Sequence, residues 1–359
     1  MQKKDKKISF KGQSIYAGID CHLKSWTVTI FIGQTFYKTF SMDPKANKLS
    51  KYLQSNFPEG DYHTAYEAGF CGFSVHRGLA SEGINNIIVN AADIPTTDKE
   101  KKQKEDKRDS KKIAKALSNG DLQGIYIPSI KATEFRGLIR YRKSLVKEIS
   151  RNKNRIKSFL HFNGISIPRQ FQTTTPNWSG KFSQWLKSIE GNTACGTEVI
   201  TSLLTTTEYL RHELLRINKI IRSLMKEGEY ASVLQKLMTI PGVGLIVAST
   251  ILAEIGDIKR FKKFDHLCSF VGLVPSTHSS GENDKTGKMT KRSNHFLREI
   301  LIESAWIATR NDPALALNFL ENSKRMKKNE AIVRTAKKML NRIRYVMQNE
   351  KEYSMSIIQ

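Results

Sequence analysis

Residues 14–40, SIYAGIDCHLKSWTVTIFIGQTFYKTF, decide the fold of the N-terminal part of the chain. Apolar residues occupy every second position in two runs, Ile15, Ala17 and Ile19 in the first and Trp26, Val28 and Ile30 in the second. This period of two is typical of β-strands that turn one face toward a core. Gly33 and Gln34 then predict a tight turn, so the stretch predicts three consecutive antiparallel strands.

Helix and strand signals alternate after this stretch. Asp43-Pro44 predicts a helix start, with the carboxylate as the cap and proline at the first helical position, and the helix runs to about Asn56. Further strands are predicted at 62–66 and 86–90, with a short helix at 72–83 between them and a basic helix from about Glu105 to Ser118. The resulting order, β-β-β-α-β-α-β-α, is that of the ribonuclease H fold, a mixed α/β sheet covered by helices.

The net charge predicts a nucleic-acid partner. The 359 residues include 59 Lys plus Arg against 34 Asp plus Glu, which leaves +25 and a pI of about 9.8. Each phosphate that a basic side chain neutralises releases a counterion, which favours binding to nucleic acid. The alternative is a basic protein whose charge only keeps it dispersed.

Other features of the composition indicate the compartment. Four cysteines (Cys21, Cys71, Cys195 and Cys268) lie far apart without a CxxC pair, which argues against a zinc module and gives no reason to expect disulfides. The basic N-terminus lacks the apolar core of a signal peptide, and no run approaches the roughly 18 apolar residues of a membrane span. We expect a cytoplasmic, nucleoid-associated protein with no membrane partner.

The middle of the chain is predicted to be helical. Apolar residues recur at helical spacing over 131–163 and again over 198–226, and a polar connection at 164–191 separates the two segments. Two such helices predict an antiparallel hairpin or a coiled coil. It would serve as an arm that lies along nucleic acid or pairs protomers; the alternative is a bundle with solvated basic faces.

A third compact unit is predicted from about Ser232. Pro241-Gly242-Val243-Gly244 between two helices matches a helix-hairpin-helix pattern, which indicates either DNA contact or ordinary helix packing. Residues 261–289 are predicted to be rich in loops, residues 293–310 to be helical, and a basic tail to follow.

Four carboxylates of the N-terminal unit are candidates for a metal site. Asp20 ends the first predicted strand and Glu67 ends the fourth, while Asp106 and Asp109 share one face of the last helix. If they converge, their mutual repulsion is relieved by bound Mg²⁺, which prefers hard oxygen ligands and assists phosphoryl transfer. Alternatively, the two helical aspartates pair with the lysines around them. Asp93 is a weaker rival in an ordinary turn.

The segment around Ser279 and Ser280 is the candidate for a nucleophile. A serine hydroxyl that attacks a DNA phosphate needs an exposed loop and nearby cations to stabilise the developing charge. The cations that follow the serine pair, and that are candidates for binding nucleic acid, are Lys285, Lys288, Lys291, Arg292 and Arg298. His278 is a candidate base. The alternative is a basic polar loop that only touches phosphate.

Both ends of the chain together resemble the DEDD transposases of the insertion-sequence family numbered one-ten, the bridge-RNA-guided serine recombinases. The segments GIDCHLKSW (18–26), AYEAGF (65–70) and KEDKRDSKKIA (104–114) resemble the RuvC-like domain of that family. Its second conserved domain is similar to LMTIPGVGLIVASTILAEIGDIKRF (237–261), FVGLVPSTHSSG (270–281) and KMTKRSNHFLREIL (288–301). The resemblance therefore spans nearly the whole chain.

The resemblance implies a role for each matched residue. The DEDD tetrad falls on Asp20, Glu67, Asp106 and Asp109, and the nucleophile falls on the serine pair. We choose Ser280 because it precedes the glycine, with Ser279 as the alternative. Ser293 stands where the family usually has glycine, which affects the start of a helix more than the chemistry.

The resemblance also implies the domain organisation and the partners. It implies a RuvC-like ribonuclease H-fold catalytic domain at 1–125, a helical coiled-coil region at 126–230 and a mainly α C-terminal transposase domain at 231–359. The serine would form a covalent phosphoserine link to DNA while the carboxylates hold Mg²⁺. Homodimers would assemble into tetramers, and a bridge RNA would pair with donor and target DNA.

Two other functions compete with this interpretation. The first is a metal-dependent RuvC-like nuclease or junction resolvase that uses the carboxylates without a serine intermediate. The second is an architectural nucleic-acid-binding protein without chemistry.

Overall fold

A computed structural model of the chain describes residues 9–95, 106–172, 178–280, 283–290 and 292–355, and for residues 106, 107, 275–280 and 283–288 it describes the backbone alone. The chain divides into two compact units, Met1–Ile127 and Pro128–Gln359. A further division of the second unit near residue 230 stays a prediction. Among the described helices, none combines the length and the apolar character that crossing a membrane requires.

The first unit is built on a five-stranded sheet in the order β3-β2-β1-β4-β5. Its strands are β1 (Ser14–Cys21), β2 (Trp26–Ile32), β3 (Thr35–Met42), β4 (Asp61–Glu67) and β5 (Asn85–Val89), and its helices are α1 (Ala46–Asn56), α2 (Ser74–Ser81) and α3 (Asp106–Ser118). The first three strands are antiparallel, β4 is parallel to β1, and β5 is parallel to β4. The predicted element order is confirmed, and the mixed sheet with its helices is consistent with a ribonuclease H-like fold.

Different helices cover the two faces of the sheet. Ile15 and Ile19 of β1 pack with apolar residues of α1 and α2 in one core cluster. Because successive strand residues point to opposite faces, Gly18 and Asp20 lie on the other face, against which α3 packs. The polar side of β2 is buried there, since the hydroxyl of fully buried Thr29 lies 2.9 Å from that of Ser110.

Glycine at position 18 allows α3 to lie directly on β1. A Cβ at this position would be 2.2 Å from the carbonyl oxygen of Ser110 and 2.3 Å from the backbone nitrogen of Ala114. Both neighbours are backbone atoms of the helix, so no rotation of a side chain can make room. The helix therefore keeps its position on the sheet only while residue 18 lacks a side chain.

The start of α1 corrects the prediction of the cap. The helix begins at Ala46, and its N-cap is Lys45, whose side chain makes no capping hydrogen bond. Asp43, the predicted cap, instead forms an ion pair with Lys48. The prediction was wrong because a lysine near the helix start offers the carboxylate a charged partner.

The second unit is mainly helical. Its helices are α4 (Ile130–Phe162), α5 (Gly180–Lys187), α6 (Ala194–Glu227), α7 (Ala231–Met238), α8 (Leu245–Ile255), α9 (Phe264–Val271), α10 (His295–Asn311), α11 (Pro313–Ser323) and α12 (Lys328–Asn349). A hairpin of β6 (Pro275–Ser280) and β7 (Asn283–Met289) lies between α9 and α10.

The two long helices α4 and α6 pack in opposite directions. The first half of α4 shares a cluster with the last half of α6, through Ile139 and Ile221 among others. The last half of α4 shares a second cluster with the first half of α6, through Ile156 and Ile200. The antiparallel arrangement is confirmed, whereas coiled-coil packing stays a prediction.

Three segments of the second unit contain more structure than the sequence predicted. The connection at 164–191 contains α5, whose Phe182 and Leu186 are fully buried between α4 and α6. The segment at 261–289 contains α9 and the β-hairpin. The tail after α10 forms α11 and α12, and α12 contributes seven buried apolar side chains to the main core.

We predict that Gly18→Ala destabilises the first unit by about 1–3 kcal/mol, because the new methyl group collides with the backbone of α3. Native-state hydrogen exchange of β1 and α3 measures the loss. Gly69→Ala is the control, since Gly69 is exposed and a Cβ there would lie 3.8 Å from its nearest neighbouring atom. Equal exchange in the two variants would contradict the prediction.

Candidate active site

Asp20 and Glu67 lie at the same end of neighbouring parallel strands. Gly18 pairs with Ala65 and Ile19 with Tyr66, so each acid directly continues this register at the carboxyl end of its strand. Both acids lie on the sheet face that α3 covers, because they alternate with Ile19 and Tyr66 of the opposite core. Asp20 is partly exposed, and Glu67 is exposed.

The direction of α3 brings its first turn to this same end of the sheet. At the far end of the helix, the carbonyl oxygen of Ser118 accepts a hydrogen bond of 2.5 Å from the amide of Gln34 in the β2-β3 turn. That turn lies beside the start of β1, since Ile32 pairs with Ile15. The helix therefore runs antiparallel to β1, and its N-terminal turns approach the end that carries Asp20.

The direction of α3 determines where its two aspartates lie. Asp109 directly precedes Ser110, whose hydroxyl and carbonyl contact the sheet at Thr29 and Gly18. Asp106 begins the helix one turn earlier, but its side chain lies outside the described residues. The geometry thus brings three described acids and the helix start to one end of the sheet.

Basic groups accompany two of these acids. His22 Nε2 lies 3.0 Å from the Oδ2 of Asp20, and Lys112 Nζ lies 3.7 Å from the Oδ1 of Asp109. Asp109 therefore has the lysine partner that the alternative interpretation of the helical aspartates predicts. Among the described side chains, which omit that of Asp106, no three acidic, histidine or cysteine residues form a group that could hold a metal ion.

The rival Asp93 lies in a short helical turn, Ala91–Asp93, that follows the edge strand β5. Its backbone nitrogen donates to the carbonyl of Asn90 at 2.9 Å. This is the ordinary turn that the sequence predicts.

A pair of cysteines beside the acids was missed by sequence reasoning. The thiol of Cys21, next to Asp20, lies close to that of Cys71, four residues after Glu67, so each influences the pKa of the other. Burial raises the pKa of both thiols, and the neighbouring thiol of Cys71 raises the pKa of Cys21 further. Their distance of fifty positions in the sequence gives no signal of this contact.

The serine pair ends the strand β6 at the tip of the β-hairpin. In the backbone register, Ser279 pairs with Asp284 and Ser280 with Asn283, while His278 pairs with Lys285. The side chains of these residues and of Lys288 lie outside the described ones, and Lys291 lies outside the described residues altogether. Arg292 is exposed, and Arg298 is half-buried within α10.

One glycine of the predicted helix-hairpin-helix turn packs closely against α10. Gly242 has a φ of +86°, and a Cβ there would lie 2.4 Å from the carbonyl oxygen of Ser304 on α10. Val243 is buried, whereas Gly244, the N-cap of α8, is exposed. Helix packing, one of the two interpretations of this turn, is therefore present.

A buried carboxylate joins three helices at the start of α10. The Glu254 side chain of α8 is 1% exposed and accepts two hydrogen bonds of 2.8 Å from Arg140 of α4. It also accepts one of 2.7 Å from Asn294, the N-cap of α10. Burial alone raises the pKa of Glu254, but Arg140 and Asn294 outweigh it and hold the pKa below its ordinary value.

Comparison with known proteins identifies similar chains. A family model for DEDD transposases of the IS110 type matches residues 17–163, and the model described as the transposase IS116/IS110/IS902 family matches residues 234–319. Together the two models match more than half of the chain. The first covers most of the first unit and the beginning of the second, and the other lies within the second unit.

Individual relatives carry transposase names. The chain is 27% identical over 67% of its length to y4qE of Sinorhizobium fredii, and 28% identical over 66% to the transposase for insertion sequence element IS1111A of Coxiella burnetii. These matches span 57% and 63% of the two relatives, less than two thirds of each. The transposase for IS1533 of Leptospira borgpetersenii is 25% identical over 82% of this chain and 85% of its own length.

We predict that Glu254→Gln lowers the free energy of unfolding at neutral pH. We also expect this free energy to fall less in acid in the variant than in wild type. A lowered pKa means that ionised Glu254 stabilises the fold above its ordinary pKa of 4.5, and that this contribution disappears as the pH falls further. The charge-assisted bonds contribute about 1.5–3 kcal/mol. Thermal unfolding at pH 7 and pH 4 measures both effects, and identical pH dependence of variant and wild type would contradict the prediction.

We also predict that iodoacetamide at neutral pH modifies exposed Cys195 first and Cys21 and Cys268 last. Burial raises the pKa of Cys268 to about 11 and that of Cys21 further, so less of either thiol is the reactive thiolate. Mass spectrometry of the alkylated peptides gives the order. Labelling of Cys21 as fast as that of Cys195 would overturn it.

Proposed function

Because the chain belongs to the IS110 family of DEDD transposases, we propose that it cuts and rejoins DNA through a phosphoserine intermediate, with a divalent metal held by carboxylates. The observation that carries this proposal is the shared end of the first-unit sheet. There Asp20 and Glu67 continue paired parallel strands, and α3 approaches with its aspartates. The second family model covers residues 234–319, the part of the second unit that contains the serine hairpin.

Asp20, Glu67, Asp106 and Asp109 are the proposed metal ligands. Their donors are all carboxylate oxygens, which suit Mg²⁺ better than softer metals. When bound, the metal supplies charge stabilisation at the oxygens of the phosphate under attack. In our proposal Gly18 and Ser110 act indirectly, since their contact sets how far the first turn of α3 lies from Asp20.

Ser280 is the proposed nucleophile, with Ser279 as the alternative. Its hydroxyl oxygen forms a new bond to phosphorus, one bridging bond from phosphorus to a deoxyribose oxygen breaks, and the serine proton passes to a base. The deoxyribose oxygen leaves with a proton. A deoxyribose hydroxyl of another DNA end then attacks the phosphoserine, which restores the serine and joins the strands. His278 is a candidate base.

The basic residues that follow the serines are proposed to bind the DNA backbone. Lys285, Lys288, Lys291 and Arg292 lie on or just after β7 in the sequence, and Arg292 is exposed. Cations at this place counter the charge that develops on the phosphate under attack. Binding of the backbone alone carries little sequence information.

We propose the guide RNA and the oligomeric assembly on the basis of family membership. A bridge RNA would pair with donor and target DNA, so that base pairing selects the sequence while the protein binds shape and backbone. Homodimers that assemble into tetramers would let the serine of one protomer meet the carboxylates of another. The antiparallel pair α4 and α6, as a coiled coil, is the proposed pairing element, and association with the nucleoid would follow from DNA binding.

The test is a covalent protein–DNA adduct. Purified protein is incubated with Mg²⁺, labelled DNA spanning the element ends and target, and RNA transcribed from the flank of the element, and the products are separated under denaturing conditions. We expect an adduct with wild type and a loss of at least about 100-fold with Ser280→Ala or Asp20→Asn, since each removes a group of the reacting site.

Other outcomes separate the alternatives. An adduct that survives Ser280→Ala but not Ser279→Ala moves the nucleophile by one residue. Strand cleavage without an adduct in any sample would refute the serine mechanism and favour the metal-dependent nuclease. Lys351→Ala, a change of an exposed residue near the C-terminus, is the control for loss of charge alone.

A further inference from the structure

The two roots of the serine hairpin lie against the start of α10. The chain enters β6 through Gly272 and Leu273 after α9, and it leaves β7 through Thr290 to Ser293. A two-stranded hairpin alone is at best marginally stable in water, so its position depends on how the roots are held.

One side chain contacts both roots. The guanidinium NH1 of Arg298 donates to the carbonyl oxygen of Gly272 at 3.3 Å on the entering root, and to that of Thr290 at 3.1 Å on the leaving root. It also lies 3.3 Å from the hydroxyl of Ser293, while NH2 contacts Nδ1 of His295. The donors of this guanidinium are thus directed at the protein itself.

Glycine at position 272 permits this close arrangement. Its φ is +82°, which other residues rarely adopt, and a Cβ there would lie 2.4 Å from the Ser293 hydroxyl and 2.8 Å from NH1 of Arg298. The entering root therefore touches the leaving root directly, with the guanidinium over both.

A second tie fixes the start of α10 to the core. The backbone nitrogen of Asn294 donates to the carbonyl of Phe270 at 2.8 Å, and its side-chain oxygen caps the helix through Leu297. Its side-chain amide donates to buried Glu254. Arg298 thus projects from a helix whose first turn is itself immobilised.

From these contacts we propose that Arg298 is a positioning residue, which fixes the base of the β6-β7 hairpin and so the placement of Ser279 and Ser280. The placement of a nucleophile is the part that rests on the proposed function; the anchoring of the hairpin does not. Arginine suits the task because its planar fork holds several donors in fixed directions, whereas the ammonium of lysine is a single point. Misplacement of a reacting group by about 1 Å costs on the order of 100-fold in rate.

The proposal differs measurably from direct binding of DNA by Arg298. Substitution of a positioning residue lowers the rate constant of adduct formation at saturating DNA and leaves the Kd for DNA unchanged. Loss of a phosphate contact would instead weaken binding and reduce the salt dependence of the Kd by about one counterion.

The experiment compares Arg298→Gln and Arg298→Lys with Arg310→Gln in the full chain. Arg310 is exposed in the last turn of the same helix, so its variant removes the same charge away from the hairpin. Three quantities are measured: hydrogen exchange of peptides over 275–290, the rate of adduct formation at saturating DNA with its RNA, and the Kd for that DNA.

We expect Arg298→Gln to increase exchange over 275–290 but not over 9–95, and to lower the adduct rate about 100-fold with the Kd within twofold of wild type. Arg298→Lys should recover only part of the rate, and Arg310→Gln should match wild type. Gly272→Ala, which disturbs the same contact from the other side, should resemble Arg298→Gln.

Two results would overturn the proposal: unchanged exchange over 275–290 in Arg298→Gln, or a weakened Kd with a normal rate at saturation. Exchange that increases over both units would show general unfolding, and it too would contradict a local anchor. If wild type forms no adduct, the serine mechanism fails, while the exchange data still decide whether Arg298 anchors the hairpin.

Discussion

The backbone contact between Gly18 and α3 is the constraint on which the proposed metal site depends. Without a side chain at position 18, Ser110 and Ala114 lie directly on β1, and the buried hydroxyls of Thr29 and Ser110 fix the helix against β2. The same contact sets the distance between the first turn of α3 and the ends of β1 and β4. Acids that are far apart in the sequence thereby reach one end of the sheet, where a divalent cation would offset their repulsion.

In the second unit, a buried charge fixes helices relative to one another. Glu254 is held by Arg140 and Asn294, which costs desolvation but ties α4, α8 and α10 together at one point. From that fixed helix start, Arg298 reaches both roots of the hairpin. The hairpin sequence PSTHSSGENDKTGKM (275–289) is mostly polar, and in our proposal the polar contacts at its base determine where its tip lies.

The sequence predicted the first unit well because its strands alternate clearly and its turns carry glycine or proline. The ends of β1 and β4 were therefore placed correctly, and Asp20 and Glu67 with them. It failed where tertiary contacts decide: Asp43 pairs with Lys48, and Cys21 lies close enough to Cys71 for the two thiols to influence each other's pKa. Helix α12 was not predicted within the basic tail, although the apolar residues of α12 recur at helical spacing. The proposed role of Arg298 follows only from the fold.

The chemistry in our account is divided between the two units, and the residue that becomes attached to DNA tests this most directly. After reaction in Mg²⁺, the adduct is digested with nuclease and trypsin, and the peptides are analysed by mass spectrometry. We expect a nucleotide on the peptide 264–285, at Ser280 or Ser279, and none when the reacting protein carries Asp20→Asn. A nucleotide on another residue, or an adduct on the same peptide that persists undiminished without Asp20, would contradict the account.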